Sequence, residues 1–343
     1  MHDHHRHASQ RNGWVWCALA AVLFGAATPA TKVVVDRVGS VTLAGLLYLG
    51  AAFAVAPFAL REARPVATLR QRWRLLVAVG LGGGLAPVLL VLALDRTPAG
   101  TVSLFLNLEL VATAVIARVF LQEHIGRRAG FGIVIVVLGG VILAGASGGG
   151  IAVGAILVAA TCVCWGIDNA ITASLDSFTP AQITLAKGVV AGSVNLLLGL
   201  SLDGAPVAGF ALAGLAIGAV GYGVSITMWI TGARLVGAAR GQVIFALAPF
   251  IGALLAWPVN GDRLTGTTVV AFVVSLVGVI VVATSQHAHV HDHEPIEHSH
   301  PIDSDDAHHR QGAILVLAGS RHRHLPLHHE HEHLPDIHHR HTH

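Results

Sequence analysis

Charge is scarce in this sequence. Asp, Glu, Lys and Arg make up 12% of its 343 residues, and between Gly13 and Thr284 they are widely scattered. A soluble core cannot absorb a chain that is 54% hydrophobic with so little charge to cover it, which excludes an ordinary globular domain. Cysteine is nearly absent as well: there are three, and Cys162 and Cys164 stand two apart, on different faces of a helix. Small packing residues explain them better than a disulfide framework or a thiolate cage. No nucleotide-binding loop, catalytic triad or paired-cysteine motif occurs. Neither an enzyme, nor ATP-driven transport, nor a nucleic-acid partner is indicated. Histidine, finally, is missing from the apolar runs, although the chain holds 23.

What is present is apolar sequence in runs of about 20 residues, each the length that crosses about 30 Å of hydrocarbon. Ten follow one another, at about 14–35, 41–60, 73–94, 99–121, 129–146, 151–175, 180–202, 208–231, 238–259 and 264–284. Nothing alternates polar and apolar residues as a barrel strand would, so the runs are helices. The first is too long, and lacks the small-residue cleavage site, to be a removed signal peptide. Lys and Arg set the orientation. With the N-terminus inside, the inner segments before the tail hold eleven of them (Arg6, Arg11, Arg61, Arg64, Arg70, Arg72, Arg74, Arg127, Arg128, Arg234, Arg240), the outer loops four (Lys32, Arg37, Arg96, Arg263). Both ends are expected in the cytoplasm of a bacterial-type inner membrane.

The membrane part repeats itself. “LNLELVATAVIARVFLQE” from Leu106 aligns with “FALAPFIGALLAWPVNGD” from Phe245 at an offset of 139, and “LFGAATPAT” from Leu23 with “CWGIDNAIT” from Cys164 at 141. Each half has five runs, and an odd number of crossings inverts the second half relative to the first. The expected fold is an all-α membrane protein of ten transmembrane helices in two inverted five-helix repeats. The expected domains are a histidine-rich N-terminus (1–12), the repeats (13–146 and 147–285) and a disordered tail (286–343). A substrate cavity belongs between the halves near the midplane.

The ten runs, the 5+5 repeat, “WGIDN” from Trp165 and the Phe-Leu-Gln-Glu of Phe120 to Glu123 resemble the EamA-type permeases of the drug/metabolite transporter superfamily, over about residues 13–284. “LNLE”, “AKGVVAGSVNL” and the histidine-rich tail are similar to a bacterial subgroup of it. The resemblance implies a secondary transporter, most members exporting metabolites, amino acids or toxic compounds. Where the family's fourth and ninth spans often carry Glu-Pro, this chain has Glu109-Leu110 and Ala248-Pro249. Each half keeps one letter of the pair.

Ionisable groups inside the runs are costly unless they meet a partner or water, and so they mark the candidate substrate and coupling site. Glu109 lies midway through the fourth run with Asn107 two residues before it, and can bind and release a proton or cation. Its structural alternative, a pair with Arg118, spans nine residues, about 13 Å of helix. Lys187 lies seven residues into the seventh run, and can hold an anionic group, neutralise a carboxylate or reach the headgroups. Asp168 and Asn169 line the cavity, pair with Lys187, or make a packing contact. Pro29, Pro87 and Pro249 fall within runs and can kink them. “GLGGG” at Gly80 and “GAVGYG” at Gly218 read as close helix packing.

Eighteen histidines follow Gln286, in a tandem repeat that aligns His293 with His324, His298 with His329 and His300 with His331. Such a tail cannot form a packed core and is expected to be disordered when empty, with “GAILVLAGS” from Gly312 a spacer or surface patch. Imidazoles spaced His-x-His beside Asp and Glu suit Ni²⁺, Co²⁺ or Zn²⁺. The candidate ligands are His291, His293, His298, His300, His329, His331, His333, His338, His339 and His341. The favoured function is export of a small metabolite, amino acid or drug-like compound by alternating access, with no required cofactor. The alternative is a divalent-metal efflux or metal-sensing protein that uses the tail. The partners are the substrate and the lipid bilayer, with a homodimer left open.

Overall fold

The protein is described by a computed structural model over residues 2–63, 65, 67–120, 126–145, 149–172, 175, 177–236, 241, 244–284, 288–293, 297–299, 314–318, 321–324 and 327–332. Among these, nine helices are long and apolar enough to cross a membrane. They are Asn12–Val35, Ser40–Ala59, Leu69–Arg96, Ala99–Ile116, Arg127–Gly145, Ala152–Thr172, Pro180–Leu202, Ala208–Trp229 and Gly266–Ala283. A shorter apolar helix, Ala248–Asn260, occupies the place of the ninth span and gives the ten-span order. It ends at Gly261, whose φ of 70° stops the helix in the left-handed conformation a side chain would oppose. Large side chains such as Phe53, Phe131 and Leu197 stand exposed on the outside, as lipid-facing positions do, while Leu43, Leu47, Leu90, Leu94 and Phe105 are fully buried.

The repeat shows in the backbone's irregularities. The third span changes from α to π geometry over Val79–Leu85 and the eighth over Gly218–Val224, the same segment displaced by 139. The fourth span breaks at Leu106 and Asn107, the ninth at Ala246 and Leu247. The halves interlock rather than standing side by side: the first span packs on the eighth and ninth, and the sixth packs on the third and fourth. Two related glycines allow it. A Cβ on Gly25 would come within 3.0 Å of Ile251, and one on Gly166 within 2.8 Å of Ile116. The fifth and tenth spans pair likewise through Gly139 and Gly278, repeat equivalents that each face the other helix. One irregularity has no counterpart. The seventh span is π-helical over Lys187–Ala191, where the second span runs on as α-helix.

Within the tail, Gln286–Asp336 forms a separate unit. Where the sequence leads one to expect no structure, the described residues carry five short strands: β1 Ala288–His293, β2 Glu297–Ser299, β3 Ile314–Ala318, β4 Arg321–His324 and β5 Leu327–Glu332. “AHVHDH” in β1 alternates with period two, the pattern a strand can use and a helix cannot. β1 pairs antiparallel with β5, and β4 lies between β2 and β3. “GAILVLAGS” supplies β3.

Candidate functional site

The two broken spans build the site. After Phe105 the chain tightens to short-turn bonds: Asn107 N–H donates to the Leu104 carbonyl at 3.2 Å and Glu109 N–H to Leu106 at 3.0 Å. Such 3₁₀ turns leave carbonyls of the preceding helix without their usual donors. The buried Asn107 side chain answers one of them, its Nδ2 donating to the Leu104 carbonyl at 2.9 Å. Leu247 N–H to Ile244 at 3.0 Å and Phe250 N–H to Leu247 at 3.1 Å make the matching turn in the ninth span. Pro249 sits in the first turn of the helix that follows, where its missing N–H costs nothing.

Both breaks open on one cavity of about 30 Å³, lined by Asn107 and Glu109 from the fourth span, Phe245 and Pro249 from the ninth, Phe24 from the first and Val279 from the tenth. That volume holds about one water. Glu109 is the charged residue of the lining. Its Oε1 accepts from Nδ2 of Asn169 at 3.0 Å, so its partner is an amide on the sixth span, in place of the Arg118 considered from the sequence.

Asp168, one residue before Asn169, points elsewhere. Its Oδ2 takes Nζ of Lys187 at 2.6 Å, and Thr172 donates to its Oδ1 at 3.1 Å. Lys187 therefore reaches a carboxylate rather than the headgroups, and both side chains are largely buried. The pair occupies the stretch where the seventh span turns π-helical, and a Cβ on Gly82 of the third span's π segment would overlap the Asp168 carboxylate. The charges and the unmatched irregularity of the second half thus coincide.

Nothing in the sequence marks the groups that hold the third span's π segment. Tyr48 Oη and Trp165 Nε1 both donate to the Gly82 carbonyl, at 2.7 and 3.2 Å, and Asn195 Nδ2 donates to Gly84 at 3.0 Å. A π stretch frees carbonyls that inside a bilayer need donors from other helices, and three spans supply them here. “GLGGG” is therefore more than a packing motif. Trp165 also begins a run of rings. It meets Phe24, its own repeat equivalent, at 6.0 Å, and Phe24 meets Tyr222 at 5.6 Å and Phe245 at 5.2 Å. Of the prolines, Pro29 lies inside the first helix and its carbonyl accepts from Asn260 of the ninth at 3.1 Å.

Among the described residues no group of three or more His, Cys, Asp or Glu is placed to hold a metal ion. A metal path through the membrane core, and with it metal efflux, has no support. In the tail, the β1–β5 register sets His289 opposite His331 and His291 opposite His329, with His293 opposite Leu327. His298 of β2 lies opposite His322. His300, His333, His338, His339 and His341 fall outside the described residues, as does the 121–125 segment that ends the fourth-span motif.

A family model described as the EamA-like transporter family matches residues 11–145 and again 152–284, one match for each repeat. Among solved structures, one described as “Crystal structure of protein” superposes with a TM-score of 0.58 at 17% identity, over 81% of this chain and 98% of its own. That likeness is one of fold. Among curated proteins, none matches this chain.

Proposed function

Because the chain belongs to the EamA-like transporter family, and is a multi-pass membrane protein that its two matched repeats fill, we propose that it exports a small organic solute by alternating access, with Glu109 as the coupling group. The observation that carries this reading is the cavity at which the broken fourth and ninth spans meet with Glu109 in its wall. Breaks at repeat-related positions are where inverted-repeat transporters bind their solutes, since the unwound backbone offers polar groups without a helix partner. A carboxyl held there by a neutral amide can take up a proton when the cavity faces one side and release it on the other. Asp168 and Lys187 neutralise each other beside two π segments, where a helix is most readily re-registered, and the pair ties the sixth span to the seventh while solute passes.

The excess of Lys and Arg in one set of loops supports cytoplasmic termini in an inner membrane. The tail, on that side, takes up Ni²⁺, Co²⁺ or Zn²⁺ as a buffer or sensor rather than as cargo. Its cross-strand histidine positions support sharing of an ion between the two copies of the repeat. Growth of a deletion strain against amino acids, toxic analogues and divalent metals identifies the solute class. Sensitivity to organic compounds that the intact gene relieves is the expected result; sensitivity to metals alone would overturn the reading.

A further inference from the structure

Deepening that reading, and resting on it, we infer that the solute is an organic cation: a protonated amine on an apolar or aromatic body, with its ammonium at Glu109 and its body against Phe24 and Phe245. The charges of the core decide the sign. Lys187 is engaged by Asp168 at 2.6 Å and by Thr172, and Lys32 of the first span by the Leu94 carbonyl, so neither has much to offer a solute's carboxylate. Glu109 is the reverse case. Among the described residues Asn169 supplies one neutral donor, whereas a carboxylate accepts about four hydrogen bonds and, when ionised, carries a charge that an amide leaves uncompensated. An ammonium group supplies both the missing charge and further donors.

The rest of the wall agrees. Phe24 and Phe245, 5.2 Å apart and tilted by 47°, line the same cavity as Glu109, with Trp165 and Tyr222 packed against Phe24 and Trp229 against Phe245. Aromatic faces attract a cation within about 6 Å and accept an apolar ring equally well. The remaining lining residues are apolar apart from Asn107, whose Nδ2 gives one of its N–H groups to the Leu104 carbonyl. A zwitterionic amino acid would bring a carboxylate that no Lys or Arg among the described lining residues meets. The cavity holds about one water in this conformation, so the breaks part as the amine enters.

The test uses three probes that share a phenyl ring: 2-phenylethylamine, phenylalanine and 3-phenylpropionate, which at neutral pH are cation, zwitterion and anion. Binding to the purified full-length protein is followed by tryptophan emission and calorimetry. The amine should bind, phenylalanine about tenfold or more weakly than the amine, and the anion without saturation. Glu109→Gln should weaken the amine by about tenfold or more, with circular dichroism unchanged. If that variant does not fold, Phe24→Leu and Phe245→Leu decide, each weakening the amine by roughly two- to thirtyfold. Equal or tighter binding of either carboxylate probe, no binding of the amine, or amine binding indifferent to all the folded variants overturns the inference. Export of another solute without amine binding would remove this inference and leave the transport reading; amine binding with no flux of any solute would do the opposite.

Discussion

Lys187 and Asp168 are the pair of side chains on which the second half's chemistry turns. Each is largely buried, and each is tolerable in the membrane because the other is 2.6 Å away. Removing one partner of such a pair leaves an uncompensated charge, at about 3–5 kcal/mol, whereas removing both costs much less. Lys187→Gln and Asp168→Asn should therefore each lower the melting temperature in detergent more than the double variant does, a non-additivity read from a double-mutant cycle. Gly82 is set by the same pair. Gly82→Ala drives a methyl group into the Asp168 carboxylate and should destabilise by about 1–3 kcal/mol. An unchanged melting curve would show that the third span gives way instead. At this scale the sequence was informative only where charge made residues conspicuous. Glu109, Asp168 and Lys187 stand out in apolar runs, but Asn169 as the partner of Glu109 comes from a helix 60 residues on, and neutral Tyr48, Trp165 and Asn195 carry no mark of their hydrogen bonds.

The helices add what composition does not record. A π segment is one residue too many inside a continuous helix, so the apolar run that marks a span looks the same with or without it. “GLGGG” and “GAVGYG” read in the sequence only as close helix packing. The stretch at Lys187–Ala191 gave less still, since its equivalent in the second span stays α-helical. Deleting Gly84 should return the third span to α geometry and withdraw the Gly82 carbonyl from Tyr48 and Trp165. The expected outcome is a protein that still inserts and keeps its helix content but loses solute flux; normal flux would show that these segments are packing devices only. The tail differs from the spans in kind. Its composition argues against a packed core, yet its His-x-His alternation also has the period of a strand, and β1 follows that period.

For the molecule as a whole, the most legible feature was the repeat. Offsets of 139 and 141 in the sequence reappear as equivalent π segments, equivalent breaks and equivalent glycine contacts. What an offset could not convey is that the halves interlock, the first helix of each packing on the fourth of the other, since this depends on packing across the pseudo-two-fold and not on any local pattern. Gln286–Asp336 of the tail is a unit of its own. Truncation after Gln286 should leave melting and core transport intact while abolishing micromolar Ni²⁺ or Zn²⁺ binding by calorimetry. Loss of all transport would make the tail part of the mechanism, and unchanged metal binding would place the ions elsewhere.

In the reading proposed above, Glu109, in the cavity between the broken spans, couples solute movement to protons. That coupling is tested most directly in proteoliposomes that carry a proton gradient and a solute identified by the growth screen, with the full-length protein and Glu109→Gln compared at equal incorporation. The unaltered protein should drive the solute against its concentration gradient, and Glu109→Gln, correctly folded, should not. Uphill transport by Glu109→Gln at the normal rate would contradict that coupling.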